Sequence, residues 1–562
     1  MRREVSVVNK KVCSFPILFA LLALVIGTCA VVFPASAQAA PTSTGSITVS
    51  GTVASSYDAY QIFDANVIDD DNDAKIATDL AWASDAVRDA ALPVLHSAGM
   101  PNSQTTAQEA AEWLNTDSHL TSALSAQLAR SLQSSGARPA ALNAGTAAEL
   151  HCGYWLIVAD DDAIAQGEVG TAPIMALVGG SAVTVKPKAA TPKVAKHVLE
   201  DSTAAWQKAA DATVADDLYW RLSATVPAGL TAYDTYTVQF VDTMGAGLDS
   251  SKVAASMRVY VAAGADGGFD AVSTGKDGRA GTEPAKGWTD ITSQCATKVA
   301  ADGTFTVRTG DLIAALDGTE AFTAGARVVA VYNAPLNSAC NHGIAKGNPN
   351  EVYLRYPRSP FADQSGDAGF TRTPSDDACA YTWDLALTKR GSDGDKPLAG
   401  AVLSITDDRG RTLAADGTWD AEGKATVTTG EDGRVTVSGV DSGKLEVREL
   451  KAPKGYTAFE GTRSVTVKAE GLDVDQVAAA KPKLTITAES PLRADSADGS
   501  TGSLEASLIN TPTGTPPSIT TGGFMPSTGD MAMYAAAAAA VAGAALIVVA
   551  LLVKRGGGSH KE

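Results

Sequence analysis

The chain has 562 residues, and its 63 acidic side chains outnumber its 45 basic ones, so the formal net charge is −18. This excess argues against nucleic acid as a partner, because phosphate backbones attract basic surfaces. The sequence contains no H-E-x-x-H pair, no phosphate-binding Gly-Lys-Ser/Thr loop and no Gly-x-Ser-x-Gly elbow. We therefore expect no metal, no cofactor and no enzyme that acts on a separate substrate.

The N-terminal segment 1–39 has the order of a secretory signal peptide. Basic residues come first, the uncharged stretch "FPILFALLALVIGTCAVVF" follows, and "PASAQAA" ends the segment with small residues. This order predicts cleavage after Ala39 and export of the remaining chain.

Residues 46–188 form the first predicted unit, which combines strands with helices. Short apolar or alternating runs such as "GSITVSGTV", "YDAYQIFDA", "GYWLIVAD" and "APIMALVGGSAVTV" predict strands. Between them, "DLAWASDAVRDAALPVL" (79–95) and "TAQEAAEWLN" with "LTSALSAQLARSLQ" (106–133) have the spacing of amphipathic helices.

Two strand-rich units, 189–375 and 380–512, are expected next, with the Pro-bearing segments "KPKAATPK" and "TRTPSDDACA" at their boundaries. Their alternating runs are separated by Gly and Asp turns, which predicts tandem immunoglobulin-like β-sandwiches and a mainly β protein. Segment 513–530 is a Thr-, Pro- and Gly-rich stalk with its terminal motif. Residues 531–553 are uncharged and long enough for a transmembrane helix, and the basic tail 554–562 is expected in the cytoplasm.

Four cysteines remain once the predicted signal peptide is removed: Cys152, Cys295, Cys340 and Cys379. An even number in an oxidising compartment permits two disulfides, and three pairings are possible. We favour Cys295 with Cys340, because both fall in one predicted unit.

Three motifs in the third unit carry residues with matching chemistry. "LALTKRGSDGDKPLAGAVLSI" places Lys389 on an opening strand, "KLEVRELKAPKGY" contains Glu449, and "ASLINTP" ends the unit with Asn510. In this order they resemble the CnaB-type domains of Gram-positive pilins and adhesins. The resemblance implies that Lys389 attacks the Asn510 amide and releases ammonia, which leaves an isopeptide bond. Burial favours this reaction, since it lowers a lysine pKa and keeps a carboxyl group such as that of Glu449 protonated.

The middle unit resembles the isopeptide-forming (CnaA-type) middle domain of fimbrial backbone subunits. "TPKVAKHV" supplies Lys196 and "YTVQFVDTMGAGL" supplies Asp242 where that family has its lysine and its acid. The family's closing motif, Tyr-Ser-Asn-Asn-Pro, aligns with "YPRSP", which puts Arg358 at the reactive asparagine. We therefore expect Lys196 to form no bond and Arg358 to pair with Asp242, unless a shifted register makes Asn348 or Asn350 the acceptor.

The end of the first unit resembles a pilin motif. "AYQIFDA" and "GYWLI" are similar to the N-terminal domain of the same fimbrial subunits, and "VTVKPK" is similar to the end of their pilin motif. By that resemblance, Lys188 is the lysine that sortase joins to the next subunit. Gly179 and Lys186 replace the Trp and the Tyr of the motif, and Lys186 and Lys193 are the alternative linking residues.

"MPSTG" resembles the Leu-Pro-any-Thr-Gly sorting signal of Gram-positive surface proteins. Its residues are Met525, which replaces Leu, Pro526, Ser527 at the variable position, Thr528 and Gly529. Pro526 keeps the segment extended for an enzyme groove. By the resemblance, sortase cleaves after Thr528 and transfers its carbonyl group to an amine.

These resemblances predict a sortase-assembled fimbrial backbone subunit, a structural protein that is secreted as a membrane-held precursor and anchored in the fimbrium and cell wall. The implied partners are pilus-type and housekeeping sortases, other copies of the chain, minor pilins and peptidoglycan. Autocatalytic isopeptide formation is the only chemistry expected. The alternative is a monomeric wall-anchored adhesin, whose Thr528 is joined directly to peptidoglycan and which binds a host-surface ligand.

Overall fold

The computed structural model describes residues 44–69, 74–116, 119–187, 191–227, 230–264, 272–274, 280–316 and 325–514. The predicted signal peptide, Lys188, the motif 525–529 and the predicted span 531–553 lie outside these residues. Within the described part of the chain, no helix is long and apolar enough to cross a membrane.

The first unit consists of two small sheets and three helices. Its elements are β1 Thr44–Val49, β2 Ser56–Asp69, β3 Lys75–Trp82, α1 Asp85–Ser97, α2 Ala107–Asn115, α3 Ser122–Ser134, β4 Ala140–Asn143, β5 Ala147–His151, β6 Gly153–Ala159, β7 Ile174–Val178 and β8 Val183–Val185. The sheets have the orders β5-β1-β8 and β3-β2-β6-β7, with β4 also paired to β2. Alternation along β6 buries Leu156 with the helices and Ile157 with the smaller sheet.

The helix predicted over 79–95 begins later than expected. Residues up to Trp82 belong to β3, which pairs with β2, and α1 starts at Asp85. Ser84 determines this start, because its side chain accepts a hydrogen bond of 3.2 Å from the backbone N–H of Val87 and caps the helix.

The middle unit is a sandwich of two larger sheets. Its main elements are β9 Lys193–Glu200, β10 Ala205–Gln207, β11 Ala209–Asp211, β12 Tyr219–Val226, β13 Gln239–Met244, α4 Val253–Ser256, β14 Arg258–Ala263, β15 Val272–Thr274, β16 Ala280–Pro284, β17 Thr289–Asp290, β18 Ala296–Val299, β19 Thr304–Arg308, α5 Leu312–Ala315, β20 Ala326–Asn333, β21 Asn348–Pro357, β22 Phe370–Arg372 and β23 Asp376–Tyr381. The sheets have the orders β10-β9-β12-β20-β14-β17 and β11-β23-β21-β13-β19-β18, with β22 paired to β21. Trp220, Phe240 and Tyr356 are fully buried in the core of this unit.

The third unit is a second sandwich. Its strands are β24 Trp383–Gly391, β25 Val402–Thr406, β26 Thr412–Leu413, β27 Trp419–Asp420, β28 Val427–Thr428, β29 Arg434–Val440, β30 Gly443–Lys451, β31 Tyr456–Thr457, β32 Thr462–Glu470, β33 Lys483–Ala488, β34 Leu492–Asp498 and β35 Ser503–Pro512. The sheets have the orders β29-β24-β35-β31 and β27-β26-β25-β30-β32-β33. The first strand, β24, pairs in parallel with the last strand, β35. The predicted mainly β architecture, with helices in the first unit, is confirmed.

Strand β23 joins the middle and third units directly. It pairs with β21, yet its alternate residues belong to two cores: Ala378 and Ala380 pack in the middle unit, whereas Cys379 and Tyr381 pack in the third. The expected boundary between residues 375 and 380 therefore falls in a shared strand. Only one residue separates β23 from β24.

Candidate functional sites

The third unit brings Lys389, Glu449 and Asn510 together in its core. Lys389 lies on β24, Asn510 on the neighbouring strand β35, and Glu449 on β30 of the facing sheet. The parallel register places Gly391 opposite Asn510. Lys389 is two residues before Gly391, so it lies on the same face as Asn510 and diagonally next to it.

The three side chains form one buried contact group. Asn510 Nδ2 donates to Glu449 Oε1 and Oε2 at 2.9 and 3.1 Å. Lys389 Nζ lies 3.5 Å from Glu449 Oε1 and donates to the Leu508 carbonyl oxygen at 3.2 Å. The side chains of Lys389 and Glu449 are both 0% exposed, so water does not screen their interaction.

This environment prepares a nucleophile beside an amide. Burial lowers the pKa of Lys389 to about 8, and the nearby Glu449 opposes that shift. About a tenth of the amine is therefore neutral at pH 7, far more than for an ordinary lysine. Asn510 Oδ1 has no hydrogen-bond partner in the described part of the chain. Because amide O and N positions are assigned from the hydrogen-bond network, a rotated Asn510 amide would present Oδ1 to the Glu449 carboxyl group.

The middle unit holds a second group of the same kind. Lys196 Nζ on β9 donates to Asp242 Oδ2 on β13 and, at 2.9 Å, to the Tyr332 hydroxyl on β20. Asn350 Nδ2 on β21 donates to the same hydroxyl at 2.8 Å, and that hydroxyl donates to Asp242 Oδ2 at 3.1 Å. Lys196, Asp242 and Asn350 are all 0% exposed. The Tyr332 hydroxyl therefore links the amine, the carboxyl group and the amide.

In the middle unit, burial favours the neutral forms of both the lysine amine and the carboxyl group, and these are the forms that attack on an amide requires. It lowers the pKa of Lys196 to about 8, against the opposing effect of Asp242. It also raises the pKa of Asp242, against the opposing effects of Lys196 and Tyr332. Asp242 Oδ1 and Asn350 Oδ1 are buried acceptors with no hydrogen-bond partner in the described residues. A proton on Asp242 Oδ1 would give that oxygen a hydrogen to donate, and the Asn350 amide oxygen is an acceptor that lacks a donor.

The expected ion pair between Arg358 and Asp242 is wrong. Arg358 Nη1 donates to the Asp161 carbonyl oxygen at 3.3 Å, at the contact between the first and middle units. The register of β21 against β13 pairs Asn350 with Met244, which places Asn350 on the same face as Asp242, where it contacts the Tyr332 hydroxyl. Asn348, the other alternative acceptor, is instead held by backbone partners: its amide exchanges hydrogen bonds with the backbone of Asn341 at 2.8 and 2.9 Å.

Sequence reasoning missed Tyr332. It stands at the end of the apolar strand sequence "ARVVAVYN", where it resembles an ordinary core residue. The available signal was the hydroxyl group itself, because a buried tyrosine usually needs a hydrogen-bond partner.

The predicted Cys295–Cys340 disulfide is also wrong, because both cysteines are free thiols. Cys295 Sγ donates to the Ile291 carbonyl oxygen at 3.3 Å, whereas Cys340 Sγ lies 3.6 Å from His342 Nε2. Location in one unit is a weak criterion, since a disulfide needs Cα atoms within about 7 Å and converging Cβ vectors.

The described residues next to Lys188 form the end of the first unit. β8 pairs in parallel with β1, and the exposed Lys186 follows it directly. Lys193, also exposed, opens β9 of the middle unit. The predicted linking lysine therefore lies in a connection between two structured strands, outside the described residues itself.

Part of the third unit matches a known protein family. Residues 384–481 match the family model SpaA, described as a prealbumin-like fold domain. We call the third unit the SpaA-type domain because of this similarity. Lys389 and Glu449 lie within the matched residues, whereas Asn510 lies beyond them on β35. The structure nevertheless makes β35 part of the SpaA-type domain, because it pairs with β24 along eight positions.

The chain is also similar to surface and pilus proteins of Gram-positive bacteria. It is 30% identical over 143 residues to the trypsin-resistant surface T6 protein of Streptococcus pyogenes serotype M6, and this match covers 24% of each chain. The chain thus matches about a quarter of that relative's length. The T6 backbone pilin structure from the same serotype aligns with a TM-score of 0.44 and 17% identity, over 84% of this chain and 98% of that one. The major pilin SpaD of Corynebacterium diphtheriae aligns with a TM-score of 0.41 and 14% identity, over 84% and 98%.

Proposed function

We propose that the chain is the shaft subunit of a covalently polymerised surface pilus, stiffened by two internal isopeptide bonds. The observation that carries this proposal is the pair of buried lysine–carboxyl–asparagine groups, one in each sandwich. Burying an amine, an acid and an amide together is costly unless they are paired or react. Two such groups in consecutive units favour a mechanical role over a role in binding alone.

In the SpaA-type domain, neutral Lys389 Nζ attacks Asn510 Cγ while protonated Glu449 polarises the amide carbonyl group. The Nζ–Cγ bond forms, the Cγ–Nδ2 bond breaks, and Glu449 moves the proton from Nζ to the departing nitrogen. One ammonia leaves, and a Lys389–Asn510 amide remains. No cofactor or separate enzyme takes part, because the carboxyl group starts and ends the reaction protonated.

In the middle unit, Lys196 and Asn350 react in the same way, with Asp242 as the proton carrier. The Tyr332 hydroxyl orients both reacting groups, since it accepts a hydrogen bond from each. The resulting amide would connect β9 of one sheet to β21 of the other. Asn350 thus takes the role that the sequence comparison had assigned to the position of Arg358.

The positions of these bonds suit a protein under tension. β24 and β35 are the first and last strands of the SpaA-type domain and lie side by side, so a Lys389–Asn510 bond carries force directly from one to the other. The strands between them would remain folded under load. In the middle unit, the bond begins on its first strand, β9, and ends on β21, which pairs with the shared strand β23.

Polymerisation is proposed to occur through sortase, which joins the Thr528 carbonyl group of one subunit to Lys188 of the next. The "VTVKPK" and "MPSTG" motifs support this linkage, and the similarity to the T6 surface protein supports a place at the cell surface. Copies of the chain, minor pilins, sortases and peptidoglycan are the proposed partners, and the cell wall and fimbrium the proposed location. The second candidate, a monomeric wall-anchored adhesin, is favoured only by the "MPSTG" motif, which serves either outcome.

A denaturing gel of cell-wall extracts, probed for this chain, separates the two candidates. A shaft subunit gives a ladder of high-mass species that resists boiling in detergent, since amide bonds join the copies. A single band at the mass of one subunit would instead assign the chain to the adhesin class.

A further inference from the structure

A group of arginines surrounds Phe370 where the first unit meets the middle unit. The arginine cleft, as we name it, is lined by Arg355, Arg358, Phe370 and Arg372 and by residues 164–166 of the first unit. Its volume is about 360 Å³. No carboxylate is among the described residues that line it, in a chain whose net charge is −18.

Two of the cleft arginines face each other across a pair of strands, which is an unfavourable arrangement. Arg355 on β21 stands directly opposite Arg372 on β22. Like charges in directly opposite positions destabilise a sheet, so packing alone does not favour this pair. Both guanidinium groups are held on rings: Arg355 lies 5.4 Å from the centre of Phe370, and Arg372 lies 5.0 Å from that of Tyr353. Rings in these positions pre-organise the two groups at one wall of the cleft.

The positive charge of the cleft is only partly neutralised. Arg355 pairs with Asp367 Oδ1 at 2.7 Å, but the Asp367 side chain is 91% exposed, so solvent weakens this pair. Arg358 donates to the Asp161 carbonyl oxygen of the first unit and also interacts with the charge of the Asp161 carboxyl group. Arg372 forms no ion pair with any residue that the structure describes, and its ring contact leaves the N–H groups available. A planar guanidinium group suits bidentate binding of an oxyanion.

We propose that the arginine cleft binds a sulfate or carboxylate group carried by a sugar. The volume of the cleft fits one sugar ring at the lower end of the range for ligand pockets. Phe370 carries Arg308 as well as Arg355 over its ring, at 5.2 and 5.4 Å from its centre, so the ring positions guanidinium groups beside the cleft. The Thr371 hydroxyl, which accepts a hydrogen bond from the Gly167 N–H at 3.0 Å, still has its own proton to donate. This inference does not depend on polymerisation.

The test is calorimetric titration of the full-length chain in detergent at about 0.15 M salt, where long-range attraction is screened. The probes are a heparin-derived disaccharide, glucuronic acid, and maltose as the uncharged sugar. We expect saturable one-to-one binding of at least one anionic probe and none of maltose. The disaccharide carries a carboxylate as well as sulfate groups, so binding of glucuronic acid shows that a carboxylate suffices, whereas binding of the disaccharide alone shows that sulfate is needed. Absence of saturable binding by both, or equal binding of maltose, overturns the proposal.

Arginine-to-glutamine substitutions test whether the anionic probe binds in the arginine cleft. Arg372→Gln should weaken the anionic probe at least tenfold without lowering the melting temperature, because it also removes the cross-strand repulsion. Arg355→Gln provides a second variant with the same expectation for binding. Arg434→Gln is the matched control: it removes the same charge from an exposed pair with Glu505 on the third unit. If Arg434→Gln weakens binding as much as Arg372→Gln does, the attraction is general and the cleft is not a site.

Discussion

At the scale of single residues, the two buried groups use different means to hold an asparagine beside a lysine. In the SpaA-type domain, Glu449 contacts both partners itself, and the backbone N–H of Phe459 donates to its Oε2 at 3.1 Å. In the middle unit, the shorter Asp242 contacts the lysine, and Tyr332 supplies the link to the amide. The extra hydroxyl group therefore compensates for one missing methylene group.

Replacing Glu449 by Gln should prevent the bond in the SpaA-type domain, because an amide cannot shuttle the proton. The intact mass of the variant is expected to exceed the value for a doubly bonded chain by one ammonia, after correction for the substitution. The bond would close a loop of about 120 residues, so its loss should lower the free energy of unfolding by roughly 4–5 kcal/mol, by analogy with a disulfide.

The matched control is Glu446→Gln on the same strand, β30, where the side chain is exposed and pairs with Lys444. Its mass and stability should follow the unmutated chain. A full calculated mass for the unmutated chain, with no ammonia lost, would contradict both proposed bonds.

In the middle unit, the sequence predicted the lysine and the acid of the buried group but not the asparagine. Lys196 and Asp242 could be selected from their motifs, but Arg358 was aligned with the reactive position. Residues 350 and 358 are eight apart, so strand alternation alone gives them the same face and cannot choose between them. The proposal of Asn350 rests on its pairing with Met244, and that register is a long-range property.

Asn350→Ala should therefore restore one ammonia to the mass and remove a cross-linked Lys196–Asn350 peptide from a tryptic digest. The bond would close a loop of about 150 residues, so we expect the free energy of unfolding to fall by about 5 kcal/mol. Asn348→Ala is the control. It should destabilise the loop that Asn348 holds but leave the mass unchanged. Loss of the cross-linked peptide in the Asn348 variant alone would reassign the acceptor.

At the scale of elements, the contact between the two sandwiches depends on acidic residues at the ends of β9 and β11. Asp211 Oδ2 accepts hydrogen bonds from Trp383 Nε1 at 2.7 Å and from the backbone N–H of Ser442 at 2.9 Å. Glu200 Oε2 accepts from the Asp211 backbone N–H at 3.1 Å. The acids whose charges act on Glu200 and its acidic neighbours are Asp201, Asp211, Asp408 and Asp441. The nearby cations already have acidic partners: Arg409 pairs with Asp201 and Asp216, and Arg411 pairs with Asp216 and Asp407.

Because of this contact, the free energy of unfolding should decrease as the pH rises from about 4.5 to about 7. Burial, followed by the charge of Asp211, raises the pKa of Glu200 from about 4.5 to about 7. A carboxyl group with a raised folded-state pKa favours folding in its protonated form, so its contribution is complete below pH 4.5 and lost by about pH 7. The loss is on the order of 3 kcal/mol. Urea unfolding between pH 5 and 8 measures it.

Glu200→Gln should flatten this dependence, because the amide does not ionise. Glu422→Gln, which changes an exposed carboxyl group, should leave the slope unaltered. A slope that persists in the Glu200 variant would assign the effect to another acid, of which Asp441 is the first to test, since burial raises its pKa too.

Element types were more predictable than their boundaries. Alternating runs predicted strands in all three units, whereas β3 was taken for the first turns of a helix. Most of the shared strand β23 was placed in the boundary between two units, because the Pro-bearing segment "TRTPSDDACA", which contains that part of it, has the composition of a linker. In both cases a partner strand, β2 or β21, decides the structure, and partner strands are distant in sequence.

At the scale of the whole molecule, the SpaA-type domain and the middle unit behave as one continuous support. They share β23, and the salt bridges of Asp216 with Arg409 and Arg411 tie the middle unit to the third. The first unit is tied to the middle unit at Arg130, which donates to the carbonyl oxygens of Ala232 and Pro360 at 2.9 and 3.2 Å. These contacts leave the connection that contains Lys188 between two fixed strands.

Replacing Lys188 by Arg tests polymerisation, because Arg keeps the positive charge but provides no amine for sortase. A linking lysine must be accessible and yet held near a surface that receives the neighbouring tail. Lys188 belongs to the short connection between β8 and β9, and each of these flanking strands is fixed in a sheet. Under load, force would enter each subunit at this connection, cross both sandwiches through their internal bonds, and leave through the stalk at Thr528. We expect the Arg variant to lose the high-mass ladder while keeping the subunit band.

Lys186→Arg and Lys193→Arg are the matched controls, because they change exposed lysines on either side of the same connection. Each should retain the ladder at the unmutated level. If the ladder survives in the Lys188 variant and disappears in one of these, the linking role moves to that lysine and the shaft assignment stands. If no variant changes the ladder, the joining residue lies elsewhere in the chain. If the unmutated protein shows no ladder, force has no covalent path between copies, and the two internal bonds would then serve to hold a single anchored adhesin against the pull on its ligand.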